Sequence, residues 1–257
     1  MCAYVGGKAR AHFIISVLNH PSLDGLEYWE PFVGFGHVLR RIRNKSAYVA
    51  SDAHPLLMLL LQQVQHGVQL PLQITRERYN HLRASDETTL ERAFCCFCAS
   101  FNGKAWASYA PEYTRRSGRV DNQLGARRKY LQKTLYESPS FQAALLSCCD
   151  YRTRTPPPGA ICYMDPPYAS TNTTYRGTDP FDHAAFWATA RAWSEQGVLV
   201  FVSEYTCPEG WHCVASSPKH VTLAGGNRQQ LRTEKLFVHA SAIARPVLTH
   251  LRQQSSG

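Results

Sequence analysis

The apolar run Ala160-Ile161-Cys162-Tyr163-Met164 ends in Asp165-Pro166-Pro167-Tyr168, and this junction constrains the chain more than any other stretch. A short unbroken apolar run bounded by proline reads as a strand buried on both faces. Two prolines stop it, because neither can donate to a ladder. In an open α/β sheet, whatever follows the carboxyl end of such a strand faces the crevice where ligands collect. Asp165 and the Pro166 carbonyl offer two fixed acceptors, and Tyr168 offers a ring to stack on, with Pro167 in the same stiff turn. Those groups suit a planar amine attached to a ring. The lone pair of such an amine is delocalised until hydrogen bonds from its two protons draw the nitrogen toward tetrahedral geometry. Two prolines are also an ordinary way to end a strand.

A second motif lies upstream. Glu27-Tyr28-Trp29-Glu30-Pro31-Phe32-Val33-Gly34-Phe35-Gly36-His37-Val38 reads as a short strand, a glycine turn and a helix start. Alternate glycines let backbone approach a ligand closely, as in nucleotide-binding turns, although a glycine turn can also be only a turn. Asp52 follows Gly36 by sixteen residues, at the end of the apolar stretch Ala47-Tyr48-Val49-Ala50-Ser51. An acid there bonds ribose hydroxyls in many open sheets, and it reads equally as the N-cap of the helical stretch Leu56 to His66.

Taken together, the chain resembles Dam-like DNA adenine-N6 methyltransferases of the D12 class, in which the cofactor motif precedes the DPPY motif and a target-recognition segment lies between them. The resemblance is carried by Tyr4-Val5-Gly6-Gly7-Lys8, Glu30 to Gly36, Ala50-Ser51-Asp52 and Asp165 to Tyr168. Further matches are Ser100-Phe101-Asn102-Gly103-Lys104, Val202-Ser203-Glu204-Tyr205 and Arg232-Thr233-Glu234-Lys235-Leu236-Phe237.

The resemblance implies S-adenosyl-L-methionine as cofactor. Tyr4, Gly7, Lys8, Glu30, Phe32, Gly34 and Gly36 would surround its methionine part, Asp52 would hold the ribose, and Asp165 would stand between cofactor and base. It further implies methyl transfer to a flipped adenine in double-stranded DNA, since a base must leave the duplex before its amine can be reached. The family often carries another glycine where this chain has Phe35. A cytosine-N4 enzyme more often has serine at the position of Asp165, and a catalytically silent DNA-binding protein is the alternative of a different class.

Lysine and arginine number 28 against 19 acidic residues, a net charge of +9 that suits a polyanionic partner. No apolar stretch is long enough to cross a bilayer and no signal-peptide pattern opens the chain, so a cytoplasmic, nucleoid-associated protein is expected. The nine cysteines fit a reducing compartment. Cys95, Cys96 and Cys98 lack a second knuckle, so buried thiols rather than a metal are expected. His37 and His54 read as packing or cap residues.

Periodicity predicts an α/β fold, a mainly parallel sheet with helices on both faces; the resemblance implies that this is a Rossmann-like methyltransferase sheet with an inserted, mostly helical recognition domain. The expected segments are 1–69 (cofactor half), 70–154 (recognition insertion) and 155–257 (DPPY half). Expected strands are Gly25 to Trp29, Ala47 to Ser51, Ala160 to Met164 and Val198 to Ser203. Phe181 to Gln196 reads as a helix started by Asp179 or Asp182, and the stretches around Trp211 to Val214 and Lys235 to Ala240 read as an edge hairpin. Gln253 to Gly257 reads as a frayed tail.

The middle segment holds Arg115, Arg116, Arg119, Arg127, Arg128 and Lys129 within fifteen residues, interleaved with Tyr109, Tyr113 and Tyr130. With Lys104, those charges would track phosphates while Asn122, Gln123 or an arginine reaches base edges. An exposed basic helical face is the plainer reading. Tyr175 lies in the threonine- and glycine-rich stretch 169–180, which reads either as a loop closing over the substrate or as a surface loop. A homodimer and a monomer both fit a palindromic DNA site.

Overall fold

A computed structural model describes residues 12–114, 117–168, 181–222 and 229–242, without the side chains of 113, 219–222 and 229–230. The described strands are β1 (Glu27–Glu30), β2 (Ala47–Asp52), β3 (Glu112–Thr114), β4 (Val120–Asn122), β5 (Ala144–Cys148), β6 (Ile161–Met164), β7 (Leu199–Glu204), β8 (Trp211–Thr222) and β9 (Gln229–His239). Seven of them form one sheet in the order β5-β2-β1-β6-β7-β9-β8, and β3 pairs only with β4. β6 runs parallel to β1 and to β7, with Tyr28 opposite Ile161 and Cys162 opposite Val200. β9 runs antiparallel to β7 and β8, and with β8 as the edge strand it makes the expected hairpin on that side of the sheet.

Every residue of β6 and β7 is buried. Apolar strands of this kind need cover on both faces, and parallel neighbours supply it only when helices pack above and below. The described helices are α1 (His12–Leu18), α2 (Pro55–Gln65), α3 (Arg76–Ala84), α4 (Leu90–Cys98), α5 (Gln123–Lys129), α6 (Pro139–Gln142) and α7 (His183–Glu195). Asp182 starts α7, its Oδ1 accepting the Ala185 N–H at 2.9 Å. Asp179 lies outside the described residues, as does the tail 253–257.

The chain divides into two compact units. One holds residues 33–41 and 50–150, and the other holds residues 12–32, 42–49 and 151 onward. In the second unit Phe186, Ala190 and Trp193 of α7 pack on Cys162, Met164, Val200 and Val202 of the sheet. Phe186 is fully buried, and truncating such a ring to alanine costs about 3–5 kcal/mol. In the first unit α2 packs on α4 and β5. Gln65 Nε2 donates to the carbonyls of Phe141 and Ala144 at 2.8 and 2.9 Å, and Gln62 Nε2 to that of Leu146 at 3.2 Å. Glutamines on one helix edge thereby occupy carbonyls of α6 and of the outer strand β5.

Three features differ from the sequence expectations. No α-helix follows the glycine turn: residues 39–41 make a single 3-10 turn, and Asn44 then turns the chain with φ of 56°. β5, a strand of the main sheet, lies inside the segment expected to be mostly helical. The same segment also carries the β3–β4 pair, and its α5 runs directly into a π-helix, Tyr130–Leu135. A wider helical turn lets Tyr130 and Leu135 both stay buried, which a regular 3.6-residue period would not predict.

Candidate active site

The glycine turn and Asp52 meet within the first unit. Gly34 and Gly36 have φ of 50° and 65°, the left-handed region that disfavours a side chain. The Val33 N–H donates to the Ser51 carbonyl at 2.9 Å, fastening the turn to the end of β2. Asp52 completes the fastening, with Oδ2 accepting the Gly34 N–H at 3.2 Å and Oδ1 accepting the His54 N–H at 3.0 Å. The N-cap of α2 is His54, whose ring packs on Phe97, so Asp52 stands before the helix rather than capping it. Burial pushes the Asp52 carboxyl up from its ordinary value, and the N–H groups of His54, Gly34 and Ala53 pull it back. Three backbone donors do not exhaust the roughly four lone-pair sites of a carboxylate, so Asp52 keeps capacity to accept a further hydrogen.

Gly36 is a site of close approach. A Cβ there would come within 3.0 Å of Leu135 Cδ1. Phe35 fills the place of the third glycine with a buried ring that meets Phe97 at 5.8 Å, and its carbonyl accepts the Tyr130 hydroxyl at 2.9 Å. The departure from the family turn is thus taken up by packing on α4 and the π-helix.

The DPPY segment stands at the end of β6 in the second unit. Asp165 and Pro167 are partly exposed, and Pro166 and Tyr168 are buried. Beneath them, the Tyr163 and Ser203 hydroxyls lie 2.9 Å apart. On β1, the Tyr28 hydroxyl donates to Glu30 Oε2 at 2.7 Å, and Glu30 is 2% exposed. Burial pushes the phenols of Tyr28, Tyr163 and Tyr168 well above their ordinary value, with Asp165 adding to the rise at the latter two. All three phenols are therefore protonated at neutral pH.

Tyr168 is held from β9 and from the residue after β7. Its hydroxyl donates to Glu234 Oε1 at 2.5 Å, and its ring meets Tyr205 edge-on at 4.9 Å. The Arg232 guanidinium covers Tyr205 at 5.4 Å. Residues 202–205 and 232–237 carry part of the family resemblance with no role implied for any of them; strand alternation, which puts Arg232 and Glu234 on one face, is the signal in the sequence that points to this pair. Phe32 joins the rings of Tyr151, Phe181 and Phe186 at 5.1–6.0 Å.

The residues expected to meet DNA separate into distinct environments. Lys104 and Lys129 are exposed and Arg128 is partly so. Arg119 is exposed and pairs with Asp121 at 3.2 Å. Asn122 caps α5, its Oδ1 accepting the Gly125 N–H at 2.6 Å. Arg127 is 1% exposed, and its guanidinium donates to the carbonyls of Cys98 and Ser100 at 2.7 and 2.8 Å and to Gln123. That corrects its expected place among the phosphate contacts: its donors are spent on the end of α4. Tyr4, Gly7, Lys8, Arg115, Arg116 and Tyr175 lie outside the described residues.

Cys95, Cys96 and Cys98 are completely buried, and burial pushes the first two thiols up to about 12. Among the described residues no group of three or more histidine, cysteine or acidic side chains is arranged to hold a metal ion. No helix among them is long and apolar enough to cross a membrane.

Comparison with known proteins gives one family match, to the D12 class N6 adenine-specific DNA methyltransferases, over residues 4–209. No curated protein matches the chain. Solved structures similar to it include a conserved hypothetical protein of Streptococcus pyogenes, with 11% identity, TM-score 0.38, and coverage of 88% of this chain and 93% of that one. Another is the rRNA methyltransferase AviRa from Streptomyces viridochromogenes, with 13% identity, TM-score 0.37, and coverage of 92% and 85%. The family match takes in the glycine turn, Asp52 and the DPPY segment alike, and on it the chain belongs to the D12 class N6 adenine-specific DNA methyltransferase family.

Proposed function

We propose that this protein transfers a methyl group from S-adenosyl-L-methionine to the exocyclic amine of a flipped adenine in duplex DNA, at a specific site. The observation that carries the reading is the acid and proline carbonyl at the end of a fully buried strand, beside a tyrosine whose hydroxyl is tied down. The carboxylate of Asp52, fixed by backbone donors and still able to accept, fits a ribose hydroxyl of such a cofactor. Glu30 and the turn at Phe32, Gly34 and Gly36 are assigned to its methionine part, together with Tyr4, Gly7 and Lys8. When bound, the cofactor supplies an electrophilic methyl group on a sulfonium.

This chain's own part is positioning. Asp165 accepts one N–H of the adenine amine and the Pro166 carbonyl accepts the other, so the nitrogen lone pair is released from the ring and directed at the methyl carbon. Tyr168 stacks on the base, with Pro167 keeping the turn stiff. The nitrogen becomes positively charged as the bond forms, and Asp165 is the adjacent group able to take the proton it then sheds. The rate advantage comes from fixed acceptors and a held base rather than from a strong general base.

Lys104, Arg119, Arg128 and Lys129 are assigned to phosphates, with Arg115 and Arg116, and Asn122 and Tyr175 to the target strand. The segments 1–69, 70–154 and 155–257 are assigned as cofactor half, recognition insertion and DPPY half. A cytoplasmic site of action, and a monomer or homodimer, go with this reading. Asp165→Ala is the test: labelled methyl transfer to duplex DNA disappears while DNA binding persists. Transfer at the normal rate in that variant overturns the mechanism.

A further inference from the structure

We propose that Glu234 is a positioning residue for the base-stacking tyrosine, fixing the plane of the Tyr168 ring and enriching it in electron density opposite the positive charge that the adenine nitrogen acquires. The inference rests on the functional reading above and adds a residue to it.

Glu234 lies on β9, opposite Ser217 of β8 and two residues before Leu236, which pairs with Ser203 of β7. It is 4% exposed. A carboxylate so enclosed costs several kcal/mol in lost hydration unless donors surround it. The Tyr168 hydroxyl does not itself need a charged acceptor, since a neutral amide or a backbone carbonyl accepts the same hydrogen. A carboxylate does something the neutral acceptors do not: its bond to the phenol is charge-assisted, short and polarising. The Tyr168 phenol stays protonated, because burial and the neighbouring carboxylates of Asp165 and Glu234 all hold its proton on. No proton changes hands at Tyr168, and the effect is electrostatic.

A second support comes from the same strand face. Arg232, two residues before Glu234, covers the ring of Tyr205, and Tyr205 meets Tyr168 at an interplanar angle of 75°. The hydroxyl is thus fixed by Glu234 and the ring edge by Tyr205, leaving Tyr168 one orientation. A ring so fixed and so polarised attracts a cation over its face more strongly than a free phenol does. In the ground state the base is neutral and gains little from this. In the transition state the amine carries part of the sulfonium's charge, so the interaction favours the transition state and appears in kcat.

The experiment measures single-turnover methyl transfer with labelled S-adenosyl-L-methionine and duplex DNA for wild type, Glu234→Gln, Tyr168→Phe and the double variant. Cofactor affinity, and the fluorescence of 2-aminopurine placed at the target adenine as a report of flipping, are followed alongside. Each single variant is expected to lose about tenfold in rate, as one polarised ring–cation contact implies, with cofactor affinity unchanged. The double variant loses no more than the worse single one, because the effect proposed for Glu234 on transfer runs through the Tyr168 hydroxyl. Tyr168→Phe leaves Glu234 in place, so its own rate loss is required even if Glu234→Gln folds poorly. An active wild type with an equally active Glu234→Gln, or with losses that multiply in the double variant, overturns this inference alone. A wild type that transfers nothing to DNA overturns the functional reading and this inference with it.

Discussion

Asp52 and Gly34 are joined by a hydrogen bond of 3.2 Å from the glycine N–H to the carboxylate, so the acid at the end of β2 sets the shape of the turn eighteen residues before it. The two oxygens serve different donors, Gly34 and His54. Asp52→Asn replaces one acceptor with an NH2 group facing a backbone N–H. Cofactor affinity is expected to fall at least about tenfold, the worth of one lost hydrogen bond to a charged group, while the chain stays folded. Because burial raises the Asp52 carboxyl, and ribose donors favour its ionised form, affinity weakens as pH falls through that raised value. Calorimetric titration across pH checks both points, and an Asn variant that binds as tightly contradicts the assignment.

Gly36 combines a φ of 65° with a neighbour 3.0 Å from where a Cβ would stand. That neighbour is the end of a leucine side chain, which can yield, so backbone strain decides the outcome. Gly36→Val is expected to lower stability by about 1–2 kcal/mol, and Gly36→Asn by less, since asparagine tolerates the left-handed region. Thermal melts compare them; equal losses contradict the strain argument.

Arg127 and Lys129 carry the same charge two residues apart and have opposite fates. Arg127→Ala strands the carbonyls of Cys98 and Ser100 inside the protein and is expected to cost about 3 kcal/mol of stability. Lys129→Ala leaves stability unchanged and lowers the slope of log affinity for DNA against log salt by about one. Melting curves and salt titrations separate the two effects.

His37 is 4% exposed and packs on Tyr130 at 4.7 Å. Burial, then Arg40 and Arg41, lowers its pKa from 6.5 to about 4. The unfolded chain takes up this proton first, so the stability tied to neutral His37 is complete above pH 6.5 and drains away as pH falls toward 4. The full effect is about 3 kcal/mol. His37→Phe is expected to flatten the acid limb of a stability-versus-pH curve in that window; an unchanged limb assigns it to other groups.

How far the sequence alone carries depends on what each signal encodes. Ile161 to Met164 and Leu199 to Glu204 were legible because strands buried on both faces are apolar throughout. Asp182 was legible as a helix start because capping is local chemistry. β5 was not: Ala144 to Cys148 is an outer strand with two exposed positions, and nothing local separates it from a loop. The missing helix after Gly36 and the burial of Arg127 are tertiary outcomes, one set by how residues 39–44 turn and the other by carbonyls some thirty residues earlier in the chain. Asp52 and Gly34 were both singled out from sequence, yet the bond between them was invisible, since it depends on β2 ending beside the turn. Glu234 escaped because an acid in an edge hairpin reads as a solvated charge until its partner is known.

The most direct measurement of the central claim is nucleoside mass spectrometry of unmethylated duplex DNA incubated with the protein and isotopically labelled S-adenosyl-L-methionine. The account predicts label in N6-methyl-2′-deoxyadenosine and none when Asp165→Ala replaces the wild type. Label in N4-methyl-2′-deoxycytidine, or DNA left unlabelled by the wild type, would contradict it.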